Sequence, residues 1–184
     1  MAITKNDIII STSNSTDSFE TWIEKSFIPE SLKPSLRASS LLIVPSEFIR
    51  NIEGPVFPTG TEDLYFYLKE KMPNLNPELC INDEDYREYA FHGILLILGS
   101  FVVTAIAAPV FANVISEYVK KKLFESDDKK DTEVRFEMTV TDEKGSSKSI
   151  KYSGPAAQFE SLLKRQVNAL PTSKGKAREK HGPK

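Results

Sequence analysis

Cysteine is all but absent: Cys80 stands alone, so no intramolecular disulfide can form and the expected compartment is a reducing one. Complete catalytic motifs and clusters with metal-ligand spacing are missing too, so no enzyme, no metal and no cofactor is expected. Near the N-terminus, Lys5 and Asp7 surround a short apolar patch in place of a secretory leader. Disorder throughout is excluded by a hydrophobic content of 40%. At 184 residues the chain has room for one ordinary domain or two small ones.

What the centre of the chain lacks is charge. Tyr89 to Ser116 carries no Asp, Glu, Lys or Arg and lies between Asp83-Glu84-Asp85 and Lys120-Lys121-Lys122. Gly93 to Ile115 is 23 residues, roughly 34 Å of helix at about 1.5 Å per residue, against a hydrocarbon core of about 30 Å. Thirteen of these residues are Leu, Ile, Val or Phe, which favours insertion by about 4 to 8 kcal/mol before the costs of Pro109, Asn113 and the hydroxyls. The expectation is a long helix over 83–124 with a transmembrane span over 93–115. An apolar core or membrane-surface helix, and a hairpin broken at Pro109, are the alternatives.

Residues 1–91 hold 8 basic and 15 acidic side chains, and residues 92–184 hold 16 and 11. That bias places the C-terminal part on the cytoplasmic side of a single-pass membrane protein. His92 sits at the acidic end of the run, and Tyr86, Tyr89 and Tyr118 fit an interfacial aromatic belt. Small residues recur every fourth position at Ser100, Thr104, Ala108, Ala112 and Ser116. In lipid that spacing marks a helix face for self-association or a pore lining, so a homo-oligomer in contact with membrane lipid is expected.

The flanking regions read as alternating elements. Over residues 1–82, Ile8-Ile9-Ile10 is a short strand, Ser11-Thr12-Ser13-Asn14-Ser15-Thr16 a hydroxyl-rich loop, and a helix starts near Asp17 or Ser18 and includes Phe19, Trp22, Ile23 and Phe27. Leu41-Leu42-Ile43-Val44 is a buried strand, and Val56-Phe57 leads through Thr59-Gly60-Thr61 into a helix over Glu62 to Lys71. Loops that follow strands and open helices can hold phosphates, which makes Ser11, Thr12, Ser13, Thr59, Gly60 and Thr61 candidate ligand-binding residues for a nucleotide or oligonucleotide. The simpler reading, which the residue types favour, is that they are caps and turns alone. The string Phe57 to Glu62 also resembles part of the Pro-Gly-Gly-x-Gly-Thr-x-x-Glu signature of nucleotide-processing Rossmann-like domains, with two glycines missing.

After the linker Glu125 to Asp131, Val134, Phe136, Met138 and Val140 alternate with Arg135, Glu137, Thr139 and Thr141, the period of a half-buried strand. A turn at Asp142 to Gly145 and a returning strand with Ile150 and Tyr152 make a hairpin, and a helix follows Ser153-Gly154-Pro155 with Phe159, Leu162, Leu163, Val167 and Leu170 as its stripe. This hairpin-helix module, 132–170, is near or below the size that folds alone, so it needs a partner. Residues 171–184 read as a disordered basic tail.

The order of an α/β stretch, an apolar helix ending in Val119-Lys120-Lys121-Lys122, and Val134-x-Phe136 through Asp142-x-x-Gly145 to a closing helix resembles the effector-associated constant components. These are small proteins of bacterial conflict systems. The resemblance spans Leu41 to Leu170 and implies a role as effector or adaptor in anti-phage defence, with no catalytic residues to carry over. The expected fold class is α+β: a small N-terminal α/β domain, one long transmembrane helix and the hairpin-helix module. The expected function, with the resemblance implying a location in the bacterial inner membrane, is a membrane effector that senses a signal such as a nucleotide with its soluble parts and oligomerises to form a pore or disrupt that membrane. A non-toxic membrane anchor or signalling adaptor for a protein partner of the same system is the alternative.

Overall fold

The computed structural model describes residues 8–47, 49, 52–90, 95–125 and 132–171. His92, Gly93 and Ile94 at the head of the expected span, the linker 126–131 and the basic tail from 172 on lie outside the described residues.

The uncharged run is not one helix. Its first part is a ten-residue strand, β6 (Leu95–Thr104), and its second part is the front of helix α4 (Ala108–Glu125). Among the described residues no helix is long and apolar enough to cross a membrane. This overturns the span over 93–115, the α+β plan built around it and the placement as a single-pass inner-membrane protein. The physical reason lies in which faces are buried. Phe101 and Val103 of β6 face one hydrophobic layer while Val102 faces another, so the strand is apolar on both sides. A strand buried on both faces reads as a continuous hydrophobic run, as a membrane helix does. Gly99, with φ 92°, sits at an irregularity in the pairing of β6, a conformation that favours glycine. The turn is closed by the Ala107 N–H donating to the Thr104 carbonyl at 3.0 Å, and Pro109 then falls in the first turn of α4, where a missing N–H costs nothing.

β6 sits inside a mixed six-stranded sheet. In chain order the remaining elements are β1 (Ile9–Ser15), α1 (Phe19–Ile23), α2 (Lys33–Arg37), β2 (Leu41–Val44), β3 (Phe57–Pro58), α3 (Thr61–Lys71), β4 (Glu78–Leu79), β5 (Glu88–Tyr89), β7 (Glu133–Thr141), β8 (Ser147–Pro155) and α5 (Ala156–Ala169). The sheet order is β1-β8-β7-β6-β2-β4, and β3 and β5 form a separate parallel pair. β6, α4 and β7 make a β-α-β unit, since β6 and β7 run parallel and the helix lies between them in sequence. β7 and β8 form the expected hairpin, and α5 follows it. Its partners are β6 on one side and β1 on the other, so strands from the N-terminal region and from the C-terminal module share one sheet.

The main core lies between one face of this sheet and α3, α4 and α5. Phe101 meets Phe111 at 4.9 Å between ring centroids, and Phe136 meets Phe159 at 5.3 Å, tying β6 and β7 to α4 and α5. A smaller core on the opposite face packs Trp22, Ile23 and Leu36 of α1 and α2 onto Leu42, Val44 and Val102. The start of α1 shows why it begins there: Ser18 and Thr21 exchange side-chain and backbone hydrogen bonds in a capping box. α1 is shorter than expected, ending at Ile23.

Ser11, Thr12 and Ser13 are part of strand β1 rather than a loop before a helix. Seven residues, Ile9 to Ser15, pair in continuous antiparallel register with β8. The hydroxyl-rich sequence tolerates this because β1 is an edge strand with much of its length exposed.

Candidate functional site

The helices leave part of one sheet face uncovered, and strand periodicity decides which side chains line it. Val134, Phe136 and Met138 of β7 point into the main core, so Arg135, Glu137 and Thr139 take the other face. On β8 the same alternation puts Ile150 and Tyr152 inward, and Ser149, Lys151 and Ser153 on the side shared with Arg135 and Glu137. The register then aligns rows across the strands. One row runs Ser100, Glu137, Lys151, Ser11; the next runs Ile97, Arg135, Ser153, Ile9.

Two adjoining cavities of about 360 and 490 Å³ open on this face, and Ser46, Ser100, Glu137 and Lys151 line both. Ser11, Arg135 and Ser153 line the first, with Ile9, Ile97 and Pro58 as apolar walls; Asp17 and Thr139 line the second. Glu137 is held from two sides, by the Lys151 ammonium at 3.1 Å and by the Ser149 hydroxyl, which donates to its Oε1 at 3.1 Å. That arrangement fixes the carboxylate and offers a ligand the remaining faces of Ser100, Ser11 and Arg135.

The other expected ligand loop is already filled by the chain itself. β5 runs parallel beside β3, which brings Glu88 next to the loop that follows β3. The Gly60 N–H donates to Glu88 Oε2 at 3.0 Å and the Glu62 N–H donates to Oε1 at 3.1 Å. Gly60 adopts φ 90°, which turns these donors toward the carboxylate. Desolvation opposes ionisation of Glu88, but the Tyr86 hydroxyl and the N–H groups of Glu62, Gly60 and Thr61 outweigh it and hold the carboxyl below its ordinary value. Thr61, buried, donates its hydroxyl to the Pro58 carbonyl at 2.6 Å. The anion-binding end of α3 is thus occupied by an intrachain cap that uses Gly60, Thr61 holds the turn, and the Thr59 N–H donates to the Tyr89 carbonyl at 3.0 Å.

The four-residue ladder divides between two elements. Ser100 and Thr104 lie on β6, whereas Ala108 and Ala112, each 1% exposed, turn into the main core from α4. Ser116 is buried too and donates to the Ala112 carbonyl at 2.7 Å. Of the set, Ser100 lines the cavities described above, and Thr104 lines a separate cavity of about 280 Å³ with Ser40 and Asp142. Thr12 points away from the open face, donating to Gln166 Oε1 of α5 at 2.8 Å.

Arg135, Glu137 and Lys151 carry the charge of the first cavity, and the sequence reading used Arg135 and Glu137 only as the polar half of a strand. The signal was present: residues that alternate with a buried stripe define the opposite face, and two strands of a hairpin must share it. Among the described residues no group of three His, Cys, Asp or Glu could hold a metal ion. Cys80 is buried, its Sγ against the Trp22 carbonyl at 3.9 Å, and burial pushes its thiol up to about 12. Comparison of the chain with protein-family models, with curated proteins and with solved structures finds no match in any of the three.

Proposed function

We propose that this chain is a ligand-sensing adaptor domain whose binding surface is the uncovered part of its six-stranded sheet. One observation carries this reading: two cavities of about 360 and 490 Å³ meet on that face around Ser46, Ser100, Glu137 and Lys151. Cavities of this size, with apolar walls and a few convergent polar groups, are the usual form of a small-molecule site. The resemblance to the effector-associated constant components supports a setting in bacterial anti-phage defence, where the bound state would be passed to a protein partner.

A panel of small metabolites, scored by thermal unfolding, tests the reading. At least one compound should raise the melting temperature of the wild-type chain, lose that effect on Ser11→Trp, and be recovered chemically unchanged. If every stabilising compound acts equally on Ser11→Trp, the site is elsewhere; if a compound is turned over, the chain is an enzyme.

A second reading concerns the partner. The outer edge of β1 has no charged residue and no proline over Ile9 to Ser15, and Ile9 is 60% exposed. An edge without those safeguards accepts an extended segment of another protein as an added strand. Ser13→Lys should weaken such a partner while leaving ligand-induced stabilisation in place, which pull-down and thermal unfolding read separately.

A further inference from the structure

The charges on the open face do not balance locally. Glu137 has Lys151 directly across on β8, and the pair closes at 3.1 Å. Arg135, two residues earlier on the same face, has Ile97 across on β6 and Ser153 across on β8, with Ile9 beyond on β1. None of these is charged. Arg135 is exposed and makes no ion pair among the described residues. It lines the cavity of about 360 Å³, whose other walls include Ile9, Ile49, Ile97 and Pro58.

From this geometry we infer that the cavity takes a small amphiphilic organic anion with a single acidic group: an aliphatic or aromatic body against the isoleucines and Pro58, with one terminal carboxylate or phosphate on Arg135. A guanidinium presents parallel N–H donors that match the oxygens of either group, and such charge-assisted pairs exceed neutral hydrogen bonds in strength. The hydroxyls of Ser11 and Ser153 lie in the same cavity and can donate to further oxygens of that group. A single anionic group fits because the neighbouring cation is already committed to Glu137. The volume is near the lower end of the roughly 300–1,000 Å³ typical of small-molecule sites, which limits the apolar body to a short chain or one ring system. The inference rests on the open face being the binding surface.

Calorimetric titration with octanoate, octyl phosphate, octanol and octylammonium, all kept below micellar concentrations, tests it on the full chain. Octanoate or octyl phosphate should bind roughly ten-fold more tightly than octanol, and octylammonium least well, given the strength of charge-assisted pairs; the stronger of the two anions tells carboxylate from phosphate. Arg135→Met keeps the apolar stem and removes the charge, so it should bring anion and alcohol to equal affinity, while Ser11→Trp should block all of them. Equal binding of octanol and octanoate to the wild type, or an anion preference that survives Arg135→Met, overturns the ligand class but leaves the cavity as the site if Ser11→Trp still blocks. Absence of binding by every probe, or binding indifferent to Ser11→Trp, overturns both. Coincident urea unfolding curves for the variants and the wild type establish that each is folded.

Discussion

Glu88 shows how one side chain can redirect a functional expectation. The loop Thr59-Gly60-Thr61 has the backbone of an anion site, and the chain supplies the anion from a strand 28 residues on. Glu88→Ala should cost about 1 kcal/mol, the usual worth of a helix cap, read by urea unfolding. Because the folded carboxyl titrates below its ordinary value, its contribution is complete above about pH 4.3, the unfolded value. It is lost as pH falls from there through the folded value. The difference between wild type and Glu88→Ala should therefore shrink on acidification below about pH 4. Cys80 gives a second test at this scale. Its buried thiol, raised to about 12, should resist a disulfide reagent at neutral pH until denaturant exposes it. Rapid labelling of the native chain would show that the packing of Trp22 over Cys80 is wrong. Neither Glu88 nor its role was legible in the sequence, since nothing local to the loop indicates which distant carboxylate will arrive there.

At the scale of elements, the uncharged run is decided by its neighbours. Ala108 and Ala112 are small because α4 lies against the sheet, so their size serves close packing within the chain. Ala112→Leu should destabilise the fold by about 1 to 3 kcal/mol through overpacking against the main core, measured by urea unfolding. A neutral effect there would indicate an exposed helix face instead. Ser11 and Ser100 do line a cavity, but from strands β1 and β6 of one sheet with β8 and β7 between them, and not as members of a loop and a helix stripe. The local signals that held were those that need no partner: a helix start near Ser18, the alternation over Val134 to Thr141, and the helix with Phe159 and Leu163 buried. Each is written within a few residues of itself.

For the molecule as a whole, the placement of β7 explains why the hairpin-helix region needs the rest of the chain. β7 is flanked by β6 and β8, and the Phe136 ring contacts both Phe101 of β6 and Phe159 of α5. A peptide covering residues 132–171 loses β1, β6 and α4 together and should show no cooperative thermal transition by circular dichroism, whereas the full chain unfolds in one. A separate transition in the isolated peptide would mean that the hairpin and α5 bury enough surface between themselves. From sequence alone came the local periodicities, the caps and turns, and the location of an apolar segment that must be hidden from water. Whether that segment is hidden in lipid as a helix or between two protein layers as a strand was decided by tertiary structure. Both solutions satisfy the backbone, but the folded one pairs Leu95–Thr104 as β6, begins α4 at Ala108 and leaves Ile106 and Val110 exposed. For β6 the deciding partners are β2 and β7, which folding brings alongside it from either side.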